Sequence, residues 1–370
     1  MARALGLVIA WLSAACAATP VAAPVALPGD RVVHMETMAI QAKPDPLTGL
    51  ETYDASDLLA KGNEYFDAKS FDFAIAVYTH LERTFPDSEL VANAIYNIAL
   101  CYESLVEPEK AVTAFSRLIA TYPNASNVRD AEFRMTLSLG KLARWQEVAD
   151  LFWKVRQRAD LTSMDQLEAR VGAGIAAFNL SDMTTAEQEF LGALSFYDRK
   201  QKEEYLPAAY WIGQARFHLG EIYARKFEAL LLDAEAMDPE AWKTQVAQKL
   251  EDKCEQLLRA QSNLIRAIRS GHAGWATAAG YRIGSLYERL YDDIMGVPAP
   301  PGLSAEAVEI YREELTAKLG VLVSKAIQIY EQSLQMAERV GEANTWVERT
   351  ERALERMRTL ALASMKDQPT

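Results

Sequence analysis

The stretch that decides the fold is FDFAIAVYTHLERTFP, residues 71–86, whose pattern returns 37 residues later as EKAVTAFSRLIATYP, residues 109–123. Each run reads as an amphipathic helix closed by a proline. Three pairs of residues share the offset: Ala74 with Ala111, Tyr78 with Phe115, and Pro86 with Pro123. Three matches at a single offset indicate an internal repeat.

A second helical pattern precedes each of these helices and carries a small residue followed by an aromatic residue three positions later. Gly62 and Tyr65 do so in the first copy, and Ala99 and Tyr102 in the second. The repeating unit is therefore a helical hairpin. Weaker third and fourth copies follow at offsets of 37 and 38. Because one hairpin cannot bury its apolar face alone, the period predicts a stacked array of hairpins.

The pattern resembles the tetratricopeptide repeat (TPR) family, whose 34-residue hairpin places small residues where its two helices cross. The first repeat carries the resemblance at Leu58, Gly62, Tyr65, Ala74, Tyr78 and Pro86. It implies an all-α fold, a right-handed α-solenoid of TPR-type hairpins. The longer spacing of 37 is similar to that of bacterial envelope TPR lipoproteins of the outer-membrane assembly type.

The C-terminal half repeats the first-helix signature with a wider gap before its second helix. The signature stands at Leu219-Gly220-x-x-Tyr223 and again at Ile283-Gly284-x-x-Tyr287. The second-helix signatures follow only at Ala260 and Ala326, which adds about 28 to 30 residues to each unit. Two elongated hairpins are therefore predicted, with Asp238-Pro239 at the first turn and Ser304 as the helix N-cap after the second.

The N-terminus has the layout of a secretory signal, with Arg3 before an apolar run from Ala4 to Leu12. Cys16 resembles the acylated cysteine of a bacterial lipobox, although Ser13 stands where leucine is commoner. The resemblance implies lipidation of Cys16 and sorting to the outer membrane. Two alternatives stay open: cleavage after Ala17 or Ala18 to release a soluble protein, and an uncleaved anchor.

The sequence thus predicts five segments. They are a signal peptide at 1–16, a tether rich in proline and alanine at 17–54, four TPR-like repeats at 55–200, two elongated hairpins at 201–342, and a polar capping helix with a tail at 343–370.

Composition and motifs favour a protein without catalytic chemistry. A formal net charge of −12 argues against nucleic-acid binding, which needs a basic face. The four histidines lack metal-ligand spacing, and the glycines of 172–174 lie in a first-helix pattern rather than after a strand. We expect no cofactor and no metal. We also expect Cys101 and Cys254 to be buried free thiols, because they lie in distant repeats.

The TPR resemblance also implies which residues line a peptide groove, namely those at the second, fifth, sixth, ninth and twelfth positions of each first helix. These are Asn63 and Phe66 in the first repeat, Asn93, Tyr96 and Asn97 in the second, and Asp130, Phe133 and Arg134 in the third.

Three of these groove residues, Asn63, Asn97 and Arg134, resemble the carboxylate clamp of chaperone-binding TPR domains. Leu59 and Asp130 occupy the two lysine places of that clamp, which puts binding of a doubly charged terminus in doubt. The alternative interpretation is that Asn97 and Arg134 make interhelical hydrogen bonds.

The leading functional hypothesis is a non-enzymatic scaffold facing the periplasm and tethered to the outer membrane. It would bind envelope proteins or peptides through the groove and the long hairpins. The complex it serves could act in outer-membrane protein assembly, motility, secretion or wall coordination. The alternative is a soluble periplasmic ligand carrier or enzyme, with Trp211, Tyr223, Trp275 and Tyr287 around a cavity between the long helices.

Overall fold

The computed structural model describes residues 45–234 and 238–366, so the signal segment and Cys16 lie outside the described residues. The described part is all α-helical. Its helices are α1 (Ala55–Asp67), α2 (Phe71–Thr84), α3 (Val91–Ser104), α4 (Pro108–Thr121), α5 (Val128–Lys141), α6 (Trp145–Val155), α7 (Ser163–Asn179), α8 (Met183–Lys200), α9 (Ala209–Ala229), α10 (Pro239–Ile268), α11 (Ala273–Met295), α12 (Ala305–Val340) and α13 (Thr345–Lys366). Within these residues, no helix is both long and apolar enough to cross a membrane.

The helices pair as six successive hairpins, from hairpin 1 (α1–α2) to hairpin 6 (α11–α12). Each first helix packs on its own second helix, and each second helix packs on the next first helix. This arrangement confirms the predicted solenoid of TPR-type hairpins. Residues before α1 also join the array, because Leu50 is buried against hairpin 1.

Within the hairpins, an aromatic ring of the second helix lies directly on a glycine of the first. A Cβ atom added to Gly62 would come within 2.2 Å of Tyr78, and one added to Gly284 within 2.2 Å of Tyr330. In hairpin 4 the same atom on Gly174 would approach Phe190 to 2.7 Å. The small residue at this position is therefore required by the close approach of the two helices.

The same ring also contacts the following hairpin. Gly172 belongs to the first helix of hairpin 4. A Cβ atom added to it would lie 2.2 Å from the Phe152 ring of α6. His218 of α9 stacks on Phe190 of α8 with ring centroids 5.4 Å apart. Phe190 thus closes the crossing of its own hairpin on Gly174 and also contacts the next hairpin through His218. In hairpin 5, Leu264 takes the place of the ring, on Gly220.

The turns of the four short hairpins share a backbone feature that the sequence patterns did not reveal. Lys69, Val106, Ala143 and Ser181 all adopt positive φ, between 55° and 64°. They stand at the same place in each unit, directly after the first helix. Left-handed geometry is costly for residues with a side chain, and here it belongs to a helix C-cap whose backbone hydrogen bonds offset the cost, as Ser70 N–H donates to the Tyr65 carbonyl oxygen at 2.8 Å.

Hairpins 5 and 6 are longer than the others, as the wide signature spacing predicts. The side chains of Asp238 and Ser304 cap α10 and α12 at the predicted positions. Lys253, only 1% exposed, donates to the carbonyl oxygens of Phe227 and Leu230, each at 2.7 Å, and pairs with Asp293 at 2.8 Å. Its ammonium group satisfies carbonyls at the end of α9 and joins the two long hairpins.

The closing helix α13 packs on both α11 and α12. It buries Ala353, Leu354 and Met357, while Arg356 forms an ion pair with Glu288 of α11. The helix therefore covers the apolar end of the array with one side and carries charge on the other.

We predict that Gly174→Ala lowers the thermal midpoint, because its methyl group must displace the Phe190 ring at a cost of about 1–3 kcal/mol. Gly192→Ala, in the same hairpin, is the matched control. Nothing lies within 4 Å of a Cβ atom there, so the change should raise stability by about 0.5–1 kcal/mol. Equal effects in thermal denaturation would contradict the crossing contact.

Candidate binding face

The surface of interest is formed by the second, fifth, sixth, ninth and twelfth positions of the first helices, here called the first-helix face. It runs along α1, α3, α5, α7, α9 and α11. The predicted groove residues occupy its first three helices: Asn63 and Phe66 on α1, Asn93, Tyr96 and Asn97 on α3, and Phe133 and Arg134 on α5.

Asn63 and Asn97 meet across the junction of hairpins 1 and 2. The Asn97 amide donates to Asn63 Oδ1 at 3.0 Å, and the Tyr78 hydroxyl donates to the same oxygen at 2.7 Å. Tyr78 is fully buried, and burial raises the pKa of its phenol. The hydroxyl therefore stays protonated and serves as a donor that joins the two first helices.

Arg134 is held by acidic groups of its own chain. Its guanidinium donates to Glu103 Oε2 at 2.8 Å and lies 3.5 Å from Asp130. Glu103 also accepts from the Ser138 hydroxyl at 3.1 Å. These contacts, with those of Asn97, are the interhelical bonds of the alternative interpretation. Because two carboxylates of the chain already balance the charge of Arg134, its guanidinium is not free to bind the carboxylate of a partner, as a clamp requires.

The three predicted groove aromatics differ in how much surface they offer. Tyr96 and Phe66 are half-buried, and each packs edge-to-face on a core ring, Phe115 and Phe71 respectively. Phe133 is 8% exposed and packs on Phe152. Tyr96 and Phe66 thus present ring edges on the first-helix face, whereas Phe133 belongs to the core.

The first-helix face continues beyond the predicted residues. In the same repeat register, Leu137 of α5 is equivalent to Asn63, Glu168 of α7 is equivalent to Asn93, and His218 of α9 is equivalent to Asn97. The sequence patterns did not single out these three residues as part of the face. The small residues Gly174 and Gly220 mark the register and could have located them.

His218 is enclosed by aromatic rings. It stacks on Phe190, and the rings of Phe178, Phe217 and Trp275 lie 5.3–5.8 Å from it. Its Nδ1 donates to the Gln214 carbonyl oxygen at 2.9 Å, which requires a proton on that nitrogen. Burial lowers the pKa of the imidazole to about 4, so the ring is neutral near pH 7.

Farther along, Arg282 of α11 ties hairpin 6 to hairpin 5. Its guanidinium donates to Glu221 at 2.5 Å and to Glu228 at 2.7 Å, both on α9. Arg282 is equivalent in register to Asn97, and Glu221 to Asn63. The same pair of positions therefore bridges neighbouring first helices at both ends of the array, by amides at one end and by charges at the other.

The four aromatics of the carrier hypothesis are held by packing. Trp211 and Trp275 both contact Tyr210, and the Tyr287 hydroxyl donates to Gln261 at 3.0 Å. Tyr223 hydrogen-bonds Glu187 and lines an open surface depression of about 400 Å³. Among residues 45–234 and 238–366, no group of three or more His, Cys, Asp or Glu side chains is arranged to hold a metal ion.

The thiols of Cys101 and Cys254 are both free. Cys101 is buried as predicted, and burial raises its pKa to about 12. Cys254 is only half-buried. Neither side chain lies in a first-helix position of the face, so the thiols play a packing role.

Comparison with known proteins identifies the repeat. Residues 93–125, which include α3 and α4, match the family model described as tetratricopeptide repeat. No curated protein matches this chain significantly. The fold is thus an all-α solenoid built from TPR-type hairpins, an architecture that presents surfaces to protein partners.

Several solved structures are similar at low identity. A tetratricopeptide repeat protein from Parabacteroides merdae is 10% identical over 84% of this chain and 98% of its own, with a TM-score of 0.37. The C-terminal part of a TPR repeat-containing protein from Cytophaga hutchinsonii is 12% identical over 84% and 96%, with a TM-score of 0.43. The apo form of RapI is 12% identical over 85% and 99%, with a TM-score of 0.45.

The lowered pKa of His218 predicts a loss of stability in acid. Between about pH 6.5 and pH 4 the unfolded chain binds a proton at this residue and the folded chain does not, so stability falls as the pH drops. The full effect approaches roughly 3 kcal/mol. His218→Phe should flatten this part of the pH–stability curve in urea denaturation. An unchanged slope in His218→Phe would contradict the buried neutral ring.

Proposed function

We propose that this TPR chain is a protein-interaction scaffold that holds a polypeptide segment of a partner along its first-helix face. The observation that carries the proposal is the presence of half-buried aromatic rings and of amide side chains at positions of the first-helix face on successive first helices. On α3, half-buried Tyr96 lies in the same helical turn as Asn93 and Asn97, and on α1, half-buried Phe66 lies about one turn beyond Asn63.

The chemistry of these groups suits an extended peptide. Aromatic edges bury apolar side chains of the partner, and amide groups pair with its main-chain donors and acceptors, which are costly to bury unpaired. Asn97 uses its amino group within the chain and keeps its carbonyl oxygen as an acceptor. The internal bonds hold each amide in one orientation, which reduces the entropy lost on binding.

The proposal places this scaffold in the bacterial envelope, facing the periplasm and held at the outer membrane by lipid on Cys16. The support is the signal-like N-terminus and the similarity of residues 12–16 to a lipobox. The partners would then be envelope proteins engaged in outer-membrane protein assembly, motility, secretion or wall coordination.

The assignment of the first-helix face is tested by two separate variants, one with a new charge on a first helix and one with a new charge on a second helix. Leu137, 55% exposed on α5, is changed to Lys, and Leu191, 50% exposed on α8, is changed to Lys as the matched control. Leu137→Lys should reduce the partners recovered by cross-linking in the source cells by about tenfold, since a desolvated charge costs more than 1.4 kcal/mol. Reduced recovery with Leu191→Lys alone would contradict the assignment of the face.

The membrane tether is tested by Cys16→Ser, which removes the thiol that would carry the lipid. The variant should move from the membrane fraction to the soluble periplasmic fraction, because a short apolar leader gives no stable anchor. Cys101→Ser controls for the general loss of a thiol. Cys16→Ser protein that remains in the membrane fraction would refute the lipid anchor.

A further inference from the structure

We propose that the first-helix face carries a binding site for one basic side chain of the partner, formed by Glu168 of α7 and the aromatic group around Tyr210 of α9. The inference rests on the proposed function and specifies the chemistry of the segment that is bound. The ligand group is an alkylammonium or guanidinium, as in lysine or arginine.

The negative charge of Glu168 is not balanced by a paired cation within the described part of the chain. Glu168 is half-buried, and no hydrogen bond or ion pair joins it to any residue of the described ranges 45–234 and 238–366. Burial, together with the charges of Asp165 and Asp130, raises its pKa to about 7. A partly desolvated carboxylate among acidic neighbours is stabilised by a cation brought from outside.

Aromatic rings stand beside this carboxylate. Helix α7 packs on α9, and the repeat register places Glu168 opposite Trp211, as Asn93 lies opposite Asn127 in hairpin 2. Tyr210, next to Trp211, is 41% exposed. Trp211, His272 and Trp275 surround Tyr210 with ring centroids 4.8, 5.1 and 5.9 Å from it. An exposed ring held by three others is suited to a cation–π contact.

An unpaired acceptor lies next to the same ring. Gln214 is one helical turn beyond Tyr210, and its Oε1 is shielded from solvent with no donor in the described part of the chain. A buried amide oxygen without a partner is uncommon in proteins. This acceptor on α9, together with the carboxylate on α7, matches the several N–H groups of an ammonium or guanidinium ion.

The junction between α7 and α9 differs from the equivalent junction between α3 and α5. In hairpin 2, Asn93 Oδ1 accepts from Asn127 of the next hairpin at 3.3 Å. Glu168 is equivalent to Asn93, and Trp211 is equivalent to Asn127. The neutral amide pair of one junction is thus replaced at the other by a carboxylate and an indole.

The charge of the whole chain favours the same kind of ligand. A net charge of −12 attracts basic segments and speeds their encounter with an acidic site. The site then fixes where along the first-helix face the basic residue lies.

The experiment selects a displayed library of random nonapeptides on the full chain at pH 8, where Glu168 is ionised. The selected peptides should be enriched in lysine and arginine, and Glu168→Gln should reduce this enrichment by about tenfold. Glu251→Gln removes the same charge from an exposed site on α10 and should leave the enrichment unchanged. Glu168→Gln should be at least as stable as the parent at pH 8, because a neutral amide is cheaper to bury.

Selection at pH 5.5 provides an independent readout. Glu168 is then protonated, so the preference for basic residues should weaken in the parent and stay the same in Glu168→Gln. The charged and titratable groups around it are Asp165 on its own helix, Asp130 and Arg129 on α5, and Tyr210 on α9.

The outcomes separate this inference from the proposed function. Peptides that are lost with Leu137→Lys but show no basic preference, or keep it in Glu168→Gln, would overturn the cation site and leave the scaffold intact. If no peptide is selected by the folded chain, both proposals are contradicted.

Discussion

The structure depends on the contact between a large side chain of the second helix, an aromatic ring in hairpins 1, 4 and 6 and Leu264 in hairpin 5, and a small residue of the first helix. Tyr78 on Gly62, Phe190 on Gly174 and Tyr330 on Gly284 bring the two helices of a hairpin into close contact. The next hairpin packs on the same ring, as Gly172 does on Phe152. These side chains are buried only when hairpins stack. The same contact therefore fixes how the two helices of a hairpin cross and how the next hairpin is placed.

Stacking brings the sixth and ninth positions of neighbouring first helices together, and these positions hold the junctions. Asn97 with Asn63, and Arg282 with Glu221, are variants of one bridge. A side chain used in a bridge is oriented but not available as a free charge, which is the state of Arg134. Glu168 differs because its charge has no partner within residues 45–234 and 238–366, and it therefore stands out as a recognition group.

The repeat, the six hairpins and the caps at Asp238 and Ser304 could be predicted because they depend on local residue types at fixed spacing. The residues assigned to the groove on α1, α3 and α5 were placed by the same register and stay a prediction, and Phe133 among them is buried in the core. The ion pair of Arg134 with Glu103 and the isolation of Glu168 could not be predicted. Each depends on which side chain the adjacent hairpin places opposite, and a repeat pattern leaves that open.

The central claim is that stacking creates one recognition surface, the first-helix face. The most direct measurement places a photo-activated cross-linking residue, in turn, at Leu137 of α5, Asn93 of α3, Leu191 of α8 and Thr113 of α4, and maps the adducts in the source cells. The account predicts that Leu137 and Asn93 capture the same partner segment and that Leu191 and Thr113 do not. Capture from the second helices alone would contradict it.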